Sequence, residues 1–340
     1  MQGAIIFTAM QLNKNIKIFL NYFLAPLLFV WLVFSIYRQI IAQENLEASW
    51  LHIKASFHSP KIINILLVIL LMVLNWSIEA KKWQYSVASI YRITFAQALK
   101  AILSGVSFSV TMPNRIGEYL GRIAYMPEGN RLKTISVTLV GSISQLLVTV
   151  VSGTIGFVFL RNKLIQHQII SEIFYRFAVT GFLIAIIFLT VIYFRISFIE
   201  KLFERWIKNS PYLYLIESLR SFNVQLLLRL LLLSFLRYLV FLIQYYLLFS
   251  LFDIEFPVAI ICGVVSVLFL ILAVVPTIAL VEVGLRGEVS LQLMGMFTTN
   301  TLGVGLASVS IWFINLVLPA IVGSVLFLGI KVFKRKNERA

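Results

Sequence analysis

The chain has 340 residues, 60% hydrophobic and 13% charged, against about 45–50% apolar and 25% charged in ordinary globular domains. A water-soluble core cannot absorb that much apolar surface, and a mean hydropathy of +0.94 points to the bilayer. The formal net charge of +15 would suit nucleic acid, but the basic residues sit in short gaps between apolar runs, where they set topology and meet anionic lipid head groups.

From the start, no basic residue precedes the apolar stretch within Met1 to Asn13, so this is a poor secretory signal and translocation relies on the first span. The segments 16–38 (kinked at Pro26), 61–79, 134–160, 177–194, 226–251 and 305–330 meet or nearly meet the ~20 apolar residues that a membrane-crossing helix requires. Between them, 94–112 and 257–276 each run into a proline, Pro113 and Pro276, followed by charge. Two stretches have interfacial character. Ile199, Leu202, Phe203, Trp206 and Ile207 form an apolar stripe opposite Glu200, Lys201, Glu204, Arg205 and Lys208, and Leu46, Trp50, Ile53 and Phe57 give a weaker version. Cys262 lies in an apolar run, and His52, His58 and His167 are far apart; no disulfide framework, metal cluster or cofactor is expected.

Basic residues collect on the cytoplasmic side. Lys331, Lys334, Arg335, Lys336 and Arg339 place the tail inside, and Arg195, Lys201, Arg205, Lys208 and Arg220 do the same for 195–220. Asp253 and Glu255 stand in a gap without a base and mark an outer turn; Lys14, Lys17, Lys81 and Lys82 put the N-terminus and the end of the second span inside. The stretch 83–133 then begins and ends in the cytoplasm, and 257–304 begins and ends outside. The expected fold is an all-α polytopic membrane protein with six full spans and two re-entrant hairpins, both termini cytoplasmic. Residues 1–160 and 161–340 form two inverted halves, a recurrent transporter design. Eight ordinary spans are the alternative.

The polar residues concentrate where these hairpins break. A helix starting after Pro113 puts Arg115, Glu118 and Arg122 on one face, with Ile116, Leu120 and Ile123 on the other. Two guanidiniums and a carboxylate beside a helix N-terminus could cradle a lipid phosphate; an interfacial turn facing water is the other reading. After Pro276, Glu282 and Arg286 stand at i, i+4, with Glu288 close behind and Gly284 and Gly287 allowing close approach or a break. Ionisable groups at membrane depth are functional by default, although an ion pair closing the hairpin is a structural alternative. Arg237 interrupts the segment 226–251; it either meets Glu282 or Glu288, or snorkels to the interface. The stripes Gly141, Gln145, Thr149, Ser152, Gly156 and Ser308, Trp312, Asn315 read as helix-packing faces.

Pro113-x-Arg115-x-Gly117-Glu118-x-x-x-Arg122, with Pro276 and Gly284-Leu285-Arg286, resembles the flippase-like family. This is the transmembrane region of lysylphosphatidylglycerol synthases (multiple peptide resistance factors) and their stand-alone relatives. Many members have a glutamate directly after the second arginine; here Gly287 intervenes before Glu288. The resemblance implies a membrane domain handling phospholipids or lipid-linked intermediates; it does not imply aminoacyl transfer. The leading expectation is a non-enzymatic translocator in the cell membrane, the inner membrane if bacterial. Arg115, Arg122 and Arg286 would receive phosphate, Glu118, Glu282 and Glu288 would position the arginines, and Arg237 would join them. No G-x-x-x-x-G-K-[ST] phosphate loop is present. A non-transporting partner in envelope lipid or glycan synthesis, a homo-oligomer, and an intramembrane lipid phosphatase are the other readings.

Overall fold

The computed structural model describes isolated helical positions between residues 34 and 55, then residues 59–110, 116–196, 218–276 and 279–337. Among these, every regular element is a helix. Most of the expected span at 16–38, the stripe at 199–208 and most of that at 46–57 fall outside the described residues.

Ser59 accepts from the Lys61 amide and Pro60 starts a 3-10 turn, which leads into α1 (Ile63–Val87). The sequence ends this span at 79, but the helix runs on through Lys81 and Lys82. The reason is an inward polar stripe. Asn75, Glu79, Lys82 and Ser86 recur at helical spacing and are all buried, whereas Leu66, Leu67, Leu70, Val73 and Leu74 face outward. Thr94 and Gln97 form a capping box that opens α2 (Phe95–Ser109). The chain returns as α3 (Ile116–Ala124), pressed against α2 through glycines. A Cβ on Gly121 would lie 2.1 Å from the Gly105 amide nitrogen, and one on Gly105 2.6 Å from the Glu118 carbonyl.

The chain continues through α4 (Arg131–Phe159), α5 (Arg161–Gln166) and α6 (Glu172–Phe194). The Asn223 side chain caps α7 (Val224–Leu251). A second short pair, α8 (Val258–Val274) and α9 (Ala279–Met294), is followed by α10 (Thr301–Trp312), a π turn (Phe313–Val317) and α11 (Leu318–Asn337). Among the described residues, α1, α4, α6, α7 and the α10–α11 stretch are long and apolar enough to cross a membrane. Among the described residues the four helices of these pairs have 15, 9, 17 and 16 residues. At about 1.5 Å per residue each is only ~14–26 Å long, short of a ~30 Å hydrocarbon core.

The bundle is organised around α1 and α7, which lie antiparallel: Asn64 donates to the Leu247 carbonyl (3.2 Å) and Gln244 to the Val68 carbonyl (2.9 Å). The first helix of each hairpin packs on the last long helix of the other half of the chain, α2 on α11 and α8 on α4. Small residues permit both contacts, since a Cβ on Gly323 would meet the Leu103 carbonyl and one on Gly156 the Gly263 carbonyl. The packing role expected for Gly156 is therefore realised. Buried apolar side chains form two clusters, one with Trp83, Ile102, Val137 and Leu230, the other with Phe249, Val265, Leu291 and Ala307. α7 passes through both. α6 stands at the periphery, exposing Ile173, Phe177, Ile184, Ile187 and Phe188, the apolar surface expected against lipid tails.

Candidate functional site

Each apolar cluster encloses one arginine supplied by the second helix of a hairpin. In the first, Arg122 near the end of α3 is buried and directs one guanidinium nitrogen at two carboxylates, Glu118 one turn back (3.3 Å) and Glu79 on α1 (3.0 Å). Glu79 is the hub of this site. It also bonds Lys82 (2.8 Å) and Arg237 of α7. Asn75 accepts from Arg237 Nε (2.7 Å), and the Arg237 guanidinium lies over the Trp76 ring, 5.5 Å from its centroid. Lys82 reaches Ser234 (3.4 Å), which bonds Ser144 of α4 (2.8 Å). Among the described residues, Arg122, Arg237 and Lys82 thus face Glu79 and Glu118, leaving one positive charge in excess. Low polarity makes each of these ions costly without its partners, and the surplus cation makes an anionic ligand the natural complement.

The second site repeats the plan with fewer charges. Arg286 of α9 is buried and pairs with Glu282 one turn back (2.8 Å). Its other terminal nitrogen donates to the Tyr245 hydroxyl on α7 (2.8 Å), and the guanidinium lies 5.9 Å from the Phe269 ring centroid. Each hairpin arginine therefore holds a carboxylate four residues before it and a side chain on the long helix preceding its hairpin. Glu79 fills that second role in one half and Tyr245 in the other.

One helix connects the sites. Arg237 and Tyr245 both belong to α7, eight residues and so about 12 Å apart along its axis. The α10–α11 stretch runs beside them. Asn300 donates to the Phe252 carbonyl at one end (3.0 Å), and Trp76 donates to the Asn315 carbonyl at the other (3.2 Å). Pro319 stands four residues after Asn315. It has no N–H to offer that carbonyl, which leaves the acceptor to the indole. The π turn at Phe313–Val317 lies at this same point, as such turns often do at functional sites.

Of the residues singled out in the sequence, Glu118 with Arg122 and Glu282 with Arg286 are brought together as their spacing implies, and Ile116 and Leu120 face outward. Pro113 and Arg115 lie outside the described residues. Two readings are corrected. Arg237 meets neither Glu282 nor Glu288 as its expected partner and does not snorkel; it is held by Glu79 and Asn75, because α1 and α7 pack antiparallel with these residues level. Lys82 is not a surface topology marker but is buried against Glu79. Apart from these, Glu288, two residues past Arg286 on α9, accepts from Gln292 (3.0 Å).

Glu79, Asn75, Trp76 and Tyr245 were missed. The usable signal was the Asn75-Glu79-Lys82-Ser86 stripe, continuing a helical period past the end of the apolar run. Among the described residues no group of His, Cys, Asp and Glu is arranged to hold a metal ion. No curated protein matches the chain. The sequence model of the lysylphosphatidylglycerol synthase TM region, by contrast, matches residues 18–323, most of the chain, and the protein belongs to that family.

Proposed function

We propose that the protein binds the phosphate of anionic phospholipids or lipid-linked intermediates at its two arginine sites and moves them between the leaflets of the cell membrane. The observation that carries this reading is the cationic excess around Glu79. Lys82, Arg122 and Arg237 converge on one carboxylate inside an apolar bundle, and such groups at membrane depth mark substrate paths. Arginine forks suit phosphate oxygens and remain charged.

In this reading residues 1–160 and 161–340 are inverted halves, six spans cross the membrane, the termini are cytoplasmic, and the short α2–α3 and α8–α9 pairs re-enter from opposite faces. Support comes from the reciprocal packing of α2 on α11 and α8 on α4, and from the parallel roles of Arg122 and Arg286. Arg115, directly before α3 in the sequence, is taken as a further phosphate contact of the first site. Phosphate entering there would exchange with Glu79 and Glu118 for the cations, while the apolar tails stay in the bilayer.

The test is a liposome assay with the purified protein and a labelled phosphatidylglycerol. Wild type should accelerate transbilayer movement. Arg122→Ala and Arg286→Ala should each slow it by about tenfold or more, the cost of losing a hydrogen bond to a charged group. Movement unaffected by both substitutions overturns the reading in favour of a non-transporting partner, and release of phosphate from a lipid pyrophosphate points to an enzyme.

A further inference from the structure

Between the two arginine sites lies a set of buried polar atoms with no hydrogen-bond partner among the described residues. They are Arg122 Nε and Asn75 Nδ2 at the first site and Arg286 Nε and Ser290 Oγ at the second, with Ser308 Oγ, Trp312 Nε1 and Asn315 Oδ1 on the α10–α11 stretch, Gln244 Oε1 on α7 and Gln145 Oε1 on α4. Native proteins leave few such groups, and each implies water or a ligand with which to bond. Ser308, Ser290 and Asn75 are almost wholly buried, so bulk solvent does not explain them.

Their placement is ordered. Ser308, Trp312 and Asn315 follow at i, i+4 and i+7, on one face of the stretch. Asn315 is level with Trp76, whose neighbour Asn75 holds Arg237. Seven residues earlier, about 10 Å along the axis, Ser308 comes level with Tyr245, because the stretch runs antiparallel to α7 from the Asn300–Phe252 contact. α9 packs on α10 and carries Ser290 one turn beyond Arg286. The stripe therefore covers the interval between the sites.

Chemistry selects what could pass. Arg122 Nε, Asn75 Nδ2, Arg286 Nε and Trp312 Nε1 are donors and the two hydroxyls can donate, against three obligate acceptors, Asn315 Oδ1, Gln244 Oε1 and Gln145 Oε1, so donors are in the majority. A cation would need the opposite balance. We infer that the Ser308–Trp312–Asn315 face, with Ser290, is a donor-lined path along which phosphate oxygens pass between the Arg286 and Arg122 sites. This rests on the translocation reading and extends it, since it names the segment that carries the head group between its two stations. The stripe read from sequence as a packing face is, at these positions, a transfer face.

The experiment uses full-length protein with Cys262→Ser, reconstituted in phosphatidylcholine vesicles, and the small anionic thiol reagent 2-sulfonatoethyl methanethiosulfonate. Ser308→Cys and Ser290→Cys replace a hydroxyl by a thiol of similar size. Val265→Cys, in the apolar core of α8 and fully buried, is the control. Both serine positions should react at least about tenfold faster than the control, and phosphatidylglycerol in the vesicles should slow them by occupying the path, a competition expected of any ligand sharing the site. Reaction no faster than Val265→Cys, in a protein whose parent still moves labelled phosphatidylglycerol, overturns the path and leaves the translocation reading standing. Fast reaction without lipid protection, in a parent that moves no lipid, overturns phosphate head groups as the cargo. As a second readout, Ser308→Leu should slow phosphatidylglycerol movement while leaving its binding to the folded protein intact; undiminished movement overturns the path as well.

Discussion

Glu79 shows how much one side chain can organise at membrane depth. Its two oxygens meet Lys82, Arg122 and Arg237, which come from three different helices. Removing the charge leaves three cations with Glu118 as the remaining carboxylate among the described residues. Glu79→Gln should therefore lower stability by about 3–5 kcal/mol, the usual cost of breaking a buried pair, seen as a reduced Tm in detergent. Adding Arg237→Met should recover part of that loss, whereas simple additivity of the two substitutions would show that they do not interact. Tyr245→Phe is a milder test of the second site. It removes one bond to Arg286, for which about 1.5–3 kcal/mol is expected, without stranding a charge.

At the scale of elements, the α2–α3 pair depends on the absence of side chains. Gly121→Leu should destabilise the protein by about 1–3 kcal/mol or more through overpacking, because backbone rather than flexible side chain stands in the way. Gly129→Leu, where nothing lies within 4 Å, should cost little, and equal Tm losses for the two variants would contradict the close packing. Much of this architecture was legible in the sequence. Apolar runs gave α4, α6 and α7 to within about five residues at their starts and one at their ends, and Pro276 marked the break between α8 and α9. The i, i+4 spacing of Glu118 with Arg122 and Glu282 with Arg286 anticipated both ion pairs, since partners within one helix are set by its period.

Partners across helices were not legible. Hydropathy treats Glu79, Lys81 and Lys82 as the end of a span, yet inside a bundle polar residues can turn inward while leucines meet lipid, and the helix continues. Nothing local to Arg237 says that α7 will bring it beside Glu79 rather than Glu282. The carbonyl that Pro319 leaves to Trp76 is likewise visible only once α1 and the π turn adjoin.

Across the whole molecule, the ends of the bundle differ in their fastenings. Lys61, at the start of α1, bonds Asp253 (2.7 Å) and Glu255 (3.0 Å) beyond the end of α7, an exposed pair that should contribute no more than about 1 kcal/mol. The turn at Gly129 belongs to the opposite end, where α1 leads into α2 and α3 returns. In a Cys262→Ser background, cysteines at Gly129 and Glu255 should react with an impermeant reagent from opposite sides of the membrane; reaction of both from one side would refute the arrangement of the two hairpins. The path of α7 through the bundle has a further consequence. Arg237 and Tyr245 are fixed to one unbroken helix, so a rotation or slide that loosens one arginine site must displace a member of the other. By thermodynamic reciprocity, whatever factor an anion at one site imposes on affinity at its counterpart acts equally in return. Under the proposed function the two sites would then act as linked stations rather than as separate moorings.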